Sequence, residues 1–135
     1  MADNEFTVQI ITPDRVFYEG SVSMVEFNTR EGEIGVYKDH IPLTSVLSPG
    51  IVTLHENGGL KEAAVHSGFA QILPDKVTML VEIAEWPDEI DVERAKRAEK
   101  RARDRIARHD KNLDLVRAET ALRKSLVRQN LAEYR

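Results

Sequence analysis

The chain has 135 residues, 41% of them apolar and 31% charged, which is the balance of a globular domain with room for one appendage. All seven glycines and all five prolines lie at or before Pro87, and charge divides at the same place: residues 1–88 carry net −9 and residues 89–135 net +5. No apolar run reaches the roughly 18 to 20 residues of a membrane span, the start Met1-Ala2-Asp3-Asn4-Glu5 has no secretory pattern, and the absence of cysteine excludes thiolate chemistry. Four scattered histidines, His40, His55, His66 and His109, lack the close pairing of a zinc site. The expectation is a cytosolic chain that is neither a metalloenzyme nor inserted in a membrane.

Short alternating or β-branched runs, broken by turn residues every eight to twelve positions, fill the first 85 residues and predict a β-sandwich. They run over 6–11, 16–18, 22–27, 34–37, 43–47, 51–55, 60–65, 69–73 and 77–83, so nine or ten strands fit. Val22, Met24 and Phe27 compete for the inner face of the third run. Asn57-Gly58-Gly59 accommodates positive φ and predicts a hairpin, Pro74-Asp75-Lys76 a proline turn, and antiparallel pairing follows.

Trp86-Pro87-Asp88 ends the strand pattern, because proline supplies no ladder donor and pushes its predecessor towards extended backbone. Residues 91–108 and 113–132 are rich in Ala, Arg, Lys, Glu and Leu and predict two helices, with a break at His109-Asp110-Lys111-Asn112. The fold class is therefore α+β: a sandwich over 1–86 and a helical hairpin over 87–135. The facing stripes are Val92, Ala95, Ala98 or Glu99, Ala102 and Ile106 against Leu115, Ala118, Leu122, Ser125 or Leu126 and Gln129. Alanine contributes about 0.8 kcal/mol of burial against roughly 1.5 to 3 for leucine, so the hairpin is expected to dock weakly and to detach readily.

Both predicted helices open on the same pattern, Ile90-Asp91-Val92-Glu93-Arg94-Ala95 and Leu113-Asp114-Leu115-Val116-Arg117-Ala118. Asp at such a start accepts from free N–H groups, a capping role worth about 1 kcal/mol. With Glu31-Gly32-Glu33-Ile34-Gly35-Val36, His40-Ile41-Pro42-Leu43, Gly68-Phe69 and Pro74-Asp75-Lys76-Val77-Thr78, the first of these patterns appears in an order and spacing that resembles the ε subunit of the bacterial F-type rotary ATP synthase over the whole chain. One departure is Ser67, which stands where many members of that family have Gly and is expected to alter one local backbone contact.

The resemblance implies a non-catalytic subunit on the cytoplasmic face of the bacterial cell membrane, peripheral to it, with no required cofactor and monomeric when isolated. Its sandwich would bind the γ subunit and the c-ring and couple proton-driven rotation to ATP synthesis. The loop with Tyr37, His40 and Pro42 is the candidate for the c-ring contact. The helices would switch between a folded hairpin and an extended arm that reaches the catalytic β and α subunits and blocks ATP hydrolysis. Arg117, Arg123, Lys124 and Arg128 would meet an acidic segment of β, acting together because a single surface ion pair is worth roughly 0 to 1 kcal/mol. In several bacterial members ATP holds the folded hairpin as a regulatory ligand. Position by position that site corresponds to Glu85, Ile90, Asp91, Arg94, Ala95, Arg101 and Arg128, with Lys124 where an arginine is usual. Lysine keeps the charge and loses the bidentate fork, which lowers the affinity expected. No phosphate-cradling glycine loop is present, so hydrolysis by this chain is not expected.

The competing reading from the residues alone is a nucleic-acid-binding β-domain with a basic helical arm. Nine interleaved acidic residues, a single aromatic in the arm, Tyr134, and the net −9 of residues 1–88 argue against it, so no nucleic acid is expected. A helical oligomerisation module is disfavoured because the stripes are too short and alanine-rich for a sustained heptad.

Overall fold

The computed structural model of the chain describes residues 3–134. Eight strands come first: β1 (Phe6–Ile11), β2 (Val16–Val22), β3 (Met24–Thr29), β4 (Gly32–Tyr37), β5 (Leu43–Leu47), β6 (Gly50–Glu56), β7 (Gly59–Ile72) and β8 (Lys76–Glu85). A 3-10 turn (Pro87–Glu89) then leads to α1 (Val92–Arg108) and α2 (Leu115–Tyr134). The chain separates into two compact units between Glu85 and Trp86.

In the β-sandwich unit the strand order is β2-β1-β8-β7-β5-β3-β4, with β6 paired to both β3 and β7. Alternate side chains go inwards, so Phe6, Val8 and Ile10 of β1, Val25 and Phe27 of β3, and Val77 and Met79 of β8 are at most 1% exposed. The Tyr18 hydroxyl donates to Glu56 Oε2 at 2.5 Å, joining β2 to β6, which share no ladder, and so clips the sandwich at one edge. Burial first, then the hydrogen bond and charge of Glu56, push the Tyr18 hydroxyl above its ordinary range.

Eight strands replace the nine or ten read from the sequence. The runs at 60–65 and 69–73 are one 14-residue strand. Ser67 takes a left-handed φ of 56° inside β7, and the register along β8 is the same on both sides of it. The strand changes partners there, pairing β6 through Gly59–Val65 and β5 through Gly68–Ile72. Gly68 is required next to it, because a Cβ at that position would run into the Leu80 carbonyl and Val81 Cα of β8. Gly20 and Ser21, between the runs expected at 16–18 and 22–27, remain in the β2 ladder opposite Val8 and Thr7. The break falls at Ser23, where the backbone N–H donates to the His55 carbonyl. That break resets the alternation, so Val22, Val25 and Phe27 are buried and Met24 is not. Pairing is antiparallel throughout except for β1 with β8, which is parallel.

The second unit is the hairpin. Asp91 caps α1 by accepting from Arg94 N–H at 3.1 Å, and Asp114 caps α2 through Arg117 N–H at 3.0 Å. His109 ends α1 in the left-handed conformation with φ 51°. Ala95 and Ala102 of α1 and Ala118 and Ser125 of α2 fill the contact, each at most 3% exposed, and α2 also packs on the 3-10 turn. Leu131, outside the expected stripe, is fully buried, whereas Leu115 and Leu126 are 48% and 40% exposed. Among the described residues no helix is long and apolar enough to cross a membrane.

Candidate functional site

Two surfaces of the sandwich expose apolar groups in a pattern that folding alone does not require. Val46 of β5, Phe69 of β7, Leu80 of β8 and Ile11 of β1 are successive cross-strand partners, so they form one row across four strands on the outer face. Val46 and Phe69 are each 44% exposed and Leu80 is 40% exposed. The row two residues along on the same face is polar, made of Thr44, Gln71, Thr78 and Gln9. A cavity of 440 Å³ adjoins the row, lined by Phe69 and Leu80 with Pro13, Gly68 and Glu82. Sequence reasoning missed this row. Its signal is the uninterrupted Met79-Leu80-Val81 run, in which only one phase can face the core and Leu80 is the residue turned out.

The second surface is the β4–β5 connection. Tyr37 ends β4 with 61% of its surface free, His40 is half-buried with Nδ1 donating to the Ile41 carbonyl at 2.7 Å, and Pro42 is exposed. Ile41, not singled out from the sequence, is 78% exposed, the largest value among the exposed apolar side chains. The backbone is pinned: Asp39 N–H donates to the Pro74 carbonyl at 2.7 Å, and Lys38 Nζ donates to the Asp3 carbonyl at 2.7 Å. An apolar tip on an anchored loop can meet a partner with little ordering penalty.

The remaining predicted residues belong to the arm, apart from Glu85. Glu85 closes β8, with its carboxylate 3.5 Å from Nε2 of the buried His66. Ile90 is half-buried in extended backbone after the 3-10 turn. The Asp91 carboxylate is engaged in capping, and Ala95 is 3% exposed, so Ile90 is the better placed of the two aliphatic groups to meet a base. Arg94 and Arg101 are exposed and two helical turns apart, hence on one face of α1; Lys124 and Arg128, half-buried, are one turn apart on α2.

Ion pairing separates the two sides of the hairpin. Lys96 pairs with Glu133 at 3.1 Å, Gln129 donates to Glu99 at 2.8 Å, and Arg103 donates to Glu99 at 2.7 Å, which marks one flank as mixed in charge. Hydrogen bonds from Gln129, then from Arg103, hold the Glu99 carboxyl below its ordinary value. The other flank is basic. Arg94, Arg97, Arg101, Arg105 and Arg108 follow one another at three- and four-residue spacing along about 21 Å of α1. Helical phase puts Arg117, Lys124 and Arg128 of α2 on the same side. Arg123, adjacent to Lys124, projects from a different side, so the four cations expected to meet an acidic partner do not share one face of α2.

A sandwich with an exposed apolar row and a helical hairpin with one basic flank have the surfaces of a protein that binds partners. Comparison with known proteins gives its family. Residues 5–87 match the ATP synthase Delta/Epsilon chain beta-sandwich domain, and residues 88–133 the Delta/Epsilon chain long alpha-helix domain. The ATP synthase epsilon chain of Ruminiclostridium cellulolyticum is 39% identical over 96% of this chain and 97% of its own length. That of Halalkalibacterium halodurans is 44% identical over 93% and 95%. Among solved structures, a chain of the Euglena gracilis mitochondrial ATP synthase, in a cryo-EM structure of OSCP, F1 and c-ring, aligns with TM-score 0.79 and 25% identity over 90% of this chain and 78% of that one. The chain belongs to the ATP synthase epsilon-chain family, whose members are non-catalytic subunits of the stalk.

Proposed function

We propose that the sandwich is a coupling body that seats on the γ subunit through the Val46–Phe69–Leu80 row and meets the c-ring through the Tyr37–Pro42 loop, at the cytoplasmic face of the bacterial membrane. The observation that carries this reading is the row itself: four apolar residues in cross-strand register, three of them 40% or more exposed, on an otherwise polar face. An apolar stripe of this kind on a soluble surface marks an interaction site. Phe69→Asp is expected to abolish incorporation into the assembled ATP synthase, while Leu60→Asp, at an equally open site off the row, leaves incorporation intact. Normal incorporation of Phe69→Asp would refute the docking assignment.

The arm is the regulatory part. Its hairpin packs through alanines and a serine, which favours opening, and its second helix carries Arg117, Arg123, Lys124 and Arg128 towards an acidic segment of the catalytic subunits. Replacing these four by alanine is expected to relieve inhibition of ATP hydrolysis in the assembled enzyme; unchanged inhibition would refute their role. ATP is the ligand proposed for the closed hairpin. Arg94, Arg101, Lys124 and Arg128 share its basic flank, where guanidinium groups take phosphate oxygens bidentately. Titration of the isolated chain with ATP should show saturable binding that Arg94→Ala weakens, and no binding at millimolar ATP would end this reading.

A further inference from the structure

The basic flank continues past the residues of the nucleotide motif to the turn of the hairpin, where a cavity of 340 Å³ is lined by Arg105 and Arg108 from the last turn of α1 and Arg117 from the first turn of α2. We propose that this cavity is a second oxyanion site, formed by Arg105, Arg108 and Arg117, that takes a phosphate-class ligand independently of the nucleotide motif.

The argument begins with placement. Arg105 and Arg108 alone have an ordinary explanation, since cations at a helix C-terminus complement its dipole. Arg117 does not share it. It occupies the third position of α2, where the dipole disfavours positive charge, and the one carboxylate at that helix start, Asp114, accepts from the Arg117 N–H and forms no ion pair with its guanidinium. It lines the same cavity as Arg105 and Arg108.

Two carboxylates line the cavity, Asp110 and Asp114, yet among the described residues neither forms an ion pair with any of the three arginines. One Asp114 oxygen is engaged in capping the Arg117 N–H. Three arginines against two aspartates leave the lining net positive, and none of the five is spent on an ion pair among the described residues. The guanidinium forks match the tetrahedral oxygens of phosphate better than a halide, and the volume accommodates a diphosphate with bridging water. The two carboxylates at the rim leave acceptors for hydroxyl groups, so the terminal phosphate of a larger metabolite fits the same chemistry.

The test uses the full chain and two probes, inorganic phosphate and pyrophosphate, titrated by calorimetry with sulfate as the charge control. Saturable binding is expected with pyrophosphate tighter than phosphate. Arg117→Ala should weaken it about tenfold or more, Arg117→Lys less, since charge survives and the fork does not. In Arg94→Ala the Arg117-dependent binding should persist, apart from any pyrophosphate that the nucleotide motif itself takes. Helical circular dichroism of Arg117→Ala without ligand should equal or exceed that of the parent, because the substitution removes a cation opposed to the dipole. Absence of saturable binding at millimolar pyrophosphate, indifference to Arg117→Ala, or equal loss with Arg94→Ala would each overturn the assignment.

Discussion

The two units of this chain are held together by different amounts of apolar surface. The sandwich buries Phe6, Ile10, Phe27, Leu54, Ile72 and Met79 completely or nearly so, whereas the helix contact rests on three alanines and Ser125, with Leu131 the single large buried side chain of the arm. At about 0.8 kcal/mol for each buried methylene, the difference amounts to several kcal/mol of burial per pair of facing elements. It teaches that a densely packed body and a thinly packed arm can be written into one short chain simply by changing the size of the inward-facing residues.

The sharpest way to break this comparison is to remove core from each side. Phe27→Ala empties a position with no exposed surface and is expected to destabilise the sandwich by about 3 to 5 kcal/mol, measured by urea unfolding followed through the hydrogen-exchange protection of strand amides. Gly68→Ala should follow at about 1 to 3 kcal/mol, since its Cβ meets backbone atoms of β8 that cannot turn aside. Leu131→Ala should reduce the helical signal by about 2 kcal/mol while strand amides keep their hydrogen-exchange protection. Concerted loss of both units in Leu131→Ala would contradict a separately folded arm.

The smallest effect concerns pH. Gln129 and Arg103 lower the Glu99 pKa from its ordinary value of 4.5, so the carboxylate's contribution to the hairpin is fully present above that value and disappears as pH falls through the folded pKa. Compared with Glu99→Gln, the parent should show a modestly more stable hairpin at neutral pH, with the difference shrinking as the pH falls below 4.5. A difference that persists in acid would mean that the pair acts through shape alone.

The arm was the more legible half. Helix propensity, the absence of glycine and proline, and two Asp caps are all local signals, and the structure places α1 within one residue of the expected start and shows both caps made. The sandwich was legible as a class and less so in detail, because its decisive features are set by partners distant in sequence. Whether Ser67 ends a strand depends on β8 running alongside it, and whether Met24 or Val25 faces inwards depends on a bond from Ser23 to His55. Phe69 and Leu80 fall in predicted strands with no local signal of the face they take, and only the register with β5 and β1 turns them outwards into one row. In the arm the same limit hid the burial of Leu131 and the single cavity that Arg117 lines with Arg105 and Arg108, both set by residues distant in sequence.

The most direct test of a fixed body with a separable regulatory arm is ATP hydrolysis by the assembled ATP synthase with and without residues 89–135. The account predicts that the truncated chain still incorporates and that hydrolysis rises. Unchanged hydrolysis with normal incorporation, or loss of incorporation, would contradict the division of labour.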